Sequence, residues 1–110
     1  MNNVEILNRF FDAENARDWA TFTECLDPGV MCFVHSEVAH MPLSGSKEIA
    51  DRAIEVAKAE KVTYACEGID TSASGNRVVA FLRFSDNTRS FKVFDFENGR
   101  IKWIHEFALN

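Results

Sequence analysis

Hydrophobic positions along this chain follow two different rhythms. In the first half they recur at helical spacing. Val4, Leu7, Phe10 and Phe11 line one face of a predicted helix, with Asn2 or Asn3 available as its cap. Ala16-Arg17-Asp18 interrupts the pattern. Asp18 can cap a second helix from about Trp19 to Leu26, and Asp27-Pro28-Gly29 ends it. "VMCFVH" (30–35) then reads as a strand buried on both faces, with His35 on the same side of the pleat as Met31 and Phe33. "SEVAHMPLSGS" reads as an irregular crossing rich in turn formers. Ser46 is placed to cap a third helix in which Ile49, Ala53, Ile54 and Ala57 share a face.

From Val62 onward the spacing becomes that of strands. "VTYACEGIDTSA" breaks at Ser74-Gly75-Asn76, "RVVAFLRFS" at Asp86-Asn87 and "RSFKVFDF" at Glu97-Asn98-Gly99, and "RIKWIHEFAL" closes the run. Short links rich in Asn and Gly make these antiparallel hairpins. Helices followed by a meander predict an α+β fold, with three N-terminal helices packed on one face of a curved, mainly antiparallel sheet. No linker, repeat or low-complexity tract divides residues 1–110, so a single domain is expected.

Composition narrows the function classes. The chain has 110 residues, 46% of them hydrophobic, with ten phenylalanines. A chain of this length buries roughly 65% of its unfolded surface, enough for a core without staples. The formal charge of −5 is spread along the sequence, whereas a phosphate-binding surface needs clustered Lys and Arg. Nucleic acid is therefore not an expected partner. No apolar run approaches membrane-spanning length, so no membrane partner is expected either. The start "MNNVEILNRFF" lacks the basic segment and cleavage site of a signal peptide. Cys25, Cys32 and Cys66 are odd in number and show no CxxC spacing. A reduced, cytoplasmic protein is the expectation.

Particular residues carry a family resemblance across nearly the whole chain. "FFDAENARDWATFTECLDPGV" gives helix, Asp-Trp break, helix and Asp-Pro turn. "LSGSKEIAD" places a glycine before the third helix, and "FDFENGRIKWIHEF" forms the last hairpin. The chain resembles the nuclear-transport-factor-2-like superfamily, the cystatin-like α+β cone that includes ketosteroid isomerase, SnoaL-type polyketide cyclases and non-catalytic association modules. The resemblance implies a pocket between helices and sheet, and a homodimer formed through the outer sheet face. Function varies widely within one such fold.

Carrying the chemistry over residue by residue removes one activity. Ketosteroid isomerase uses an Asp base, with Tyr and a protonated Asp stabilising the enolate. The corresponding positions fall on Phe10, on Phe33 or His35, and near Lys92, and none keeps the family residue. That isomerase activity is therefore not expected. In the closing strand "WIHEF" resembles the family ending "RWREYW", which implies that Ile104, Glu106 and Ala108 face the pocket while Trp103, His105 and Phe107 face outward. Hydrophobic patterning alone favours the opposite, because Ile101, Trp103, Phe107 and Leu109 form the more apolar side. A second subunit covering the outer face would reconcile the two readings.

The resulting candidate site has His35 as general base, oriented or balanced by Glu106. Phe10, Met31, Phe33, Lys92, Phe94 and Ile104 are the candidate ligand contacts. The plainer alternative makes His35 a structural residue bonded to a backbone carbonyl. Arg83 and Lys92 interrupt apolar strands and are able to point inward to hold a carboxylate or enolate; the commoner arrangement puts both on the solvated side. Trp19 has the bland role of closing the bottom of the core. His35, His40 and His105 show no HxH or HExxH spacing, so no metal and no other cofactor is expected, although the fold can still bring them together. Three functions follow as alternatives. The first is a pocket for a small apolar or aromatic ligand, catalytic or not. The second is a dimeric association module using the outer sheet face. The third is a pocket collapsed on its own phenylalanines.

Overall fold

The computed structural model describes residues 1–35 and 40–109, with His40 and Met41 described in their backbone only. Helix α1 (Asn3–Asn15) starts where the Asn2 side chain accepts a hydrogen bond from the Glu5 amide at 2.9 Å. It stops where Arg17 takes a left-handed conformation with φ 61°. Asp18 then caps α2 (Trp19–Glu24), accepting from the Thr21 amide at 3.2 Å and its hydroxyl at 2.7 Å. Trp19 sits half-buried with its ring edge-on to Phe22.

Strand β1 (Leu26–His35) begins earlier than the apolar run suggests. Part of the segment expected to be irregular is a strand. β2 (His40–Ser44) pairs antiparallel with β1, from Met31 opposite Ser44 to His35 opposite His40. Pro42 hid it from the sequence, and β2 tolerates that proline because it is an edge strand. Residues 36–39 of the same crossing lie outside the described residues. Helix α3 (Ser46–Glu60) is capped by Gly45 at φ 92° with no side-chain cap bond, so Ser46 is its first residue rather than its cap.

The remaining strands are β3 (Tyr64–Thr71), β4 (Arg77–Phe84), β5 (Arg89–Glu97) and β6 (Arg100–Ala108). Sheet order is β2-β1-β6-β5-β4-β3, antiparallel throughout except for the β1–β6 pair. The β5–β6 turn has positive φ at Asn98 and Gly99, as a tight hairpin following the sheet twist demands. The sheet curves around the helices, and two ladder irregularities help it bend. Glu67 is the extra residue in β3, and Lys102 the extra one in β6.

Helices and the concave sheet face share one core. Phe94, wholly buried on β5, receives the edges of Phe10 and Phe11 from α1 at 6.1 and 5.7 Å. Phe10 also stacks on Phe22 of α2 at 4.4 Å. Truncating such a ring to alanine costs about 3–5 kcal/mol. These aromatics join α1, α2 and the sheet centre, and the cavity described next lies beside them.

Candidate functional site

The core does not fill the cone. A cavity of about 290 Å³ opens between the helices and the concave sheet face, so the phenylalanines have not closed it. Its apolar wall comes from Phe10, Phe22, Val34, Ile49, Phe84 and Phe94, among others. Glu14, Tyr64, Lys92 and Glu106 sit within this wall, and Arg17, Arg52 and Glu60 line the cavity as well.

Each of the first four has a structural reason for its position. Glu14 lies one turn beyond Phe10 on α1, so both reach the same side of the helix. Asn15 clamps the first residue of β3, donating to the Tyr64 carbonyl at 2.8 Å and accepting from its amide at 3.0 Å. That clamp delivers the Tyr64 hydroxyl to Glu14 Oε1, to which it donates at 2.6 Å. Burial, reinforced by the Glu14 carboxylate, pushes the phenol far above its ordinary range, so it remains a hydrogen-bond donor.

Lys92 and Glu106 are directly opposite on β5 and β6, with Lys92 Nζ 3.5 Å from Glu106 Oε2. The ammonium lies 6.0 Å from the centre of the Tyr64 ring. Burial works against the charge on Lys92, but the carboxylates of Glu106 and Glu14 outweigh it and hold its pKa above the usual lysine value. Lys92 is therefore a fixed cation with only 15% of its side chain exposed. Cys32 faces the same cavity, and burial, aided by the Glu106 charge, pushes its thiol up to about 11. It is not a nucleophile at neutral pH. At the mouth, Arg17 donates to the backbone carbonyls of Glu14 and Val62 at 3.0 and 3.1 Å, tying α1 to the approach to β3.

Of the residues singled out from sequence, Phe10, Lys92, Phe94, Ile104 and Glu106 line the cavity. Met31, Phe33 and His35 do not. Pairing of β1 with β6 sets Cys32 beside Ile104 and Val34 beside Glu106, so the alternate residues of β1 point to the convex face. His35 and Glu106 therefore stand on opposite sides of the sheet, and the proposed acid–base pair does not form. Arg83 points outward to Glu67 at 3.1 Å, whereas Lys92 points inward, contrary to the commoner arrangement for both. Glu14, Tyr64 and Cys32 were missed. The four-residue spacing of Phe10 and Glu14 on one face of α1 was the available signal for the first of them.

The convex face is aromatic. Phe33, His35, His105 and Phe107 stack across β1 and β6, and Phe91 continues the row onto β5. Phe81 and Trp103 on this face are 45% and 41% exposed. The apolar parity of β6 that pointed the other way is broken by Lys102. Because that residue is extra, Ile101 turns inward while Trp103, two positions later, turns outward.

A SnoaL-like domain family model matches residues 7–104. The chain belongs to the SnoaL-like family. No curated protein matches it at the sequence level. Among solved structures, this SnoaL-like domain is similar to Bal32a from a soil-derived mobile gene cassette, with a TM-score of 0.88 and 20% identity over 98% of this chain and 89% of that one. It is also similar to a protein proposed to be a polyketide cyclase from Sinorhizobium meliloti (TM-score 0.80, 17% identity, 96% of this chain and 99% of that one). A protein proposed to be a ketosteroid isomerase from Kribbella flavida gives 0.81 and 14%, over 98% and 78%. A further likeness, to a protein with a cystatin-like fold from Methylobium petroleophilum (TM-score 0.86, 15% identity, 98% of this chain and 76% of that one), agrees with these in showing the cystatin-like fold. No helix among the described residues is long and apolar enough to cross a membrane.

Proposed function

We propose that this SnoaL-like domain binds a small, largely apolar molecule carrying a carbonyl group and moves a proton within it, using Lys92 and Glu106. The observation behind this reading is the 3.5 Å Lys92–Glu106 pair on the wall of an otherwise phenylalanine-rich cavity. An ammonium held protonated has further N–H donors beyond the one facing Glu106. Directed at a ligand carbonyl, they stabilise the negative charge that develops on oxygen when a neighbouring C–H is deprotonated. Glu106 accepts that proton and returns it to the same or another carbon, so the step is redox-neutral and balanced. The Tyr64 hydroxyl, committed to Glu14, fixes the wall rather than the proton. His35, on the other face, has no part in this chemistry.

The test begins with a ligand panel read by melting shift, followed by turnover of the best class. Glu106→Gln should keep the shift and lower kcat by about 10²–10⁴-fold, and His35→Gln should leave kcat unchanged. A Glu106→Gln protein that turns over at the wild-type rate removes Glu106 as the base. Binding without turnover in either protein leaves a binding pocket and removes the enzyme.

A second reading concerns the convex face. Exposed Phe81 and Trp103 in a row of stacked rings favour a homodimer through this face, the association expected from the family resemblance. Sedimentation of wild type and Trp103→Ser tests it. Loss of dimer in the variant supports the reading, and a monomeric wild type ends it.

A further inference from the structure

Among the described residues, the cations lining the cavity are Arg17, Arg52 and Lys92, and two of them already have a carboxylate. Lys92 faces Glu106, and Arg52 lies 3.6 Å from Glu55 on the outside of α3. Arg17 has no ion-pair partner among the described residues. Its backbone is also out of the ordinary. Asp18 donates its amide to the Ala13 carbonyl at 2.8 Å, and Arg17 donates its own to Glu14 at 3.1 Å. These paired bonds close a helix on a left-handed residue, a place normally taken by glycine because a Cβ is crowded there. Here a long side chain sits at φ 61°. The turn itself needs only a backbone at residue 17, so the strain is set against what the guanidinium does. That group is fixed in place. Of its five N–H donors, one goes to the Glu14 carbonyl at the end of α1 and one to Val62 just beyond α3. The others meet no acceptor among the described residues. Two backbone carbonyls orient the fork without neutralising it, which leaves a half-buried positive charge at the mouth of an apolar cavity.

We propose that Arg17 binds a carboxylate on the cavity ligand, which makes that ligand a keto acid with its carbonyl at Lys92, its carboxylate at the mouth and an apolar body between. This rests on the carbonyl-binding reading of the Lys92–Glu106 pair given above. A planar guanidinium with donors left over matches a carboxylate in shape as well as charge. Arg52 fits the role less well, because its side chain is 60% exposed and its charge is shared with Glu55. Glu14, Glu60 and Glu106 balance Arg17, Arg52 and Lys92 along the wall, so no net charge turns an anion away. The volume of about 290 Å³ is at the lower end for small-molecule sites. It suits a single ring with a short chain.

Aryl keto acids and their primary amides test the assignment, because each pair differs in charge and hardly in shape. The probes are benzoylpropanoate, benzoylbutanoate and benzoylpentanoate, each with the benzoyl group on the terminal carbon, so that the span from carbonyl to carboxylate varies. Melting shifts and calorimetry on the full chain at pH 7 give the affinities. At least one acid should bind at least about tenfold more tightly than its amide, and salt should reduce the difference. Arg17→Gly suits the left-handed turn and removes the fork. It should weaken the acid alone, bringing acid and amide to within about twofold, whereas Arg52→Gln should keep the preference. Amides that bind wild type as tightly as the acids overturn this proposal and leave the carbonyl-binding cavity standing. Equal weakening of acid and amide in Arg17→Gly makes the residue a structural tie and overturns it too. An acid preference that survives Arg17→Gly, or is lost in Arg52→Gln, has the same consequence. If no acid and no amide binds, the reading of the cavity falls and the proposal with it.

Discussion

Replacing Lys92 with methionine is the sharpest perturbation of the cavity, because it removes a cation from between two carboxylates while keeping most of the apolar volume. Coulomb attraction across the 3.5 Å contact with Glu106 is about 4–5 kcal/mol at an effective dielectric near 20. Glu106 keeps 33% of its side chain exposed, and solvent screening brings the coupling down to about 2 kcal/mol. Urea unfolding at pH 7 of wild type, Lys92→Met, Glu106→Gln and the double variant measures it. With a slope of about 1–3 kcal/mol per molar urea, the single Lys92→Met change should lower the midpoint by about 1 M. The double variant should be more stable than the sum of the two single costs by about 2 kcal/mol.

The pH dependence supplies an independent check on the same pair. The folded-state pKa of Lys92 is raised, so its contribution is fully present below the unfolded lysine value of about 10.4 and is lost as pH rises through the folded value. The stability gap between wild type and Lys92→Met should stay flat from pH 7 to about 10 and close above that. Cys32 faces the same cavity and is electrostatically coupled to Lys92, so both proteins are compared in a Cys32→Ser background. Additive single changes, to within about 0.5 kcal/mol, or a gap that never closes at high pH, would refute the claim that Lys92 is held as a cation by its neighbours.

Other consequences are accessible to routine measurement. Asn15→Ala removes both bonds to the Tyr64 backbone and should cost about 1–3 kcal/mol in thermal unfolding, with weaker binding of any cavity ligand; unchanged stability contradicts the clamp. Cys32, with its thiol pushed up to about 11, should resist iodoacetamide at neutral pH in the folded protein and react once urea is added. Peptide mass spectrometry would show the contrary result as equal labelling in both states. Gly99→Ala places a side chain at φ 75° and should lower stability by about 1 kcal/mol; a melting temperature equal to wild type argues against the tight-turn geometry.

The order of elements was legible because each regime of spacing is long and several breaks are chemically plain, such as Asp18 and Asn98-Gly99; Asp27-Pro28-Gly29 misled, because α2 already ends at Glu24 and these residues lie within β1. The facing of β1 was not. Met31, Phe33, Cys32 and Val34 are all apolar, and a period of two cannot say which side is inside when both sides are greasy. His35 was therefore assigned to the wrong face. Glu106 was placed correctly from the family resemblance in β6, against the hydrophobic pattern. Lys92 was named as a ligand contact, yet the general rule for lysines in strands pointed outward. It needed Glu106 across the ladder and Glu14 across the cavity, and neither partnership is visible from one strand. The Glu14–Tyr64 bond joins residues distant in sequence, so only the folded chain could show it.

Lys102 has a bearing on which changes of length this fold can absorb. A strand of alternating faces is normally intolerant of gaining or losing one residue, since every side chain beyond the change swaps sides. In β6 the extra residue already stands between Ile101, turned inward, and Trp103, turned outward. Removing Lys102 would leave those two as immediate neighbours on opposite sides, which is the ordinary alternation. Glu106 would still meet the cavity and His105 the convex face. The loss would be confined to the 3.3 Å contact of Lys102 with Asp27 and to some of the bend. Single-residue deletions that arise here during divergence can therefore persist without exchanging the two surfaces of the strand, whereas the same deletion at Ile104 or His105 would turn the cavity carboxylate out to the convex side.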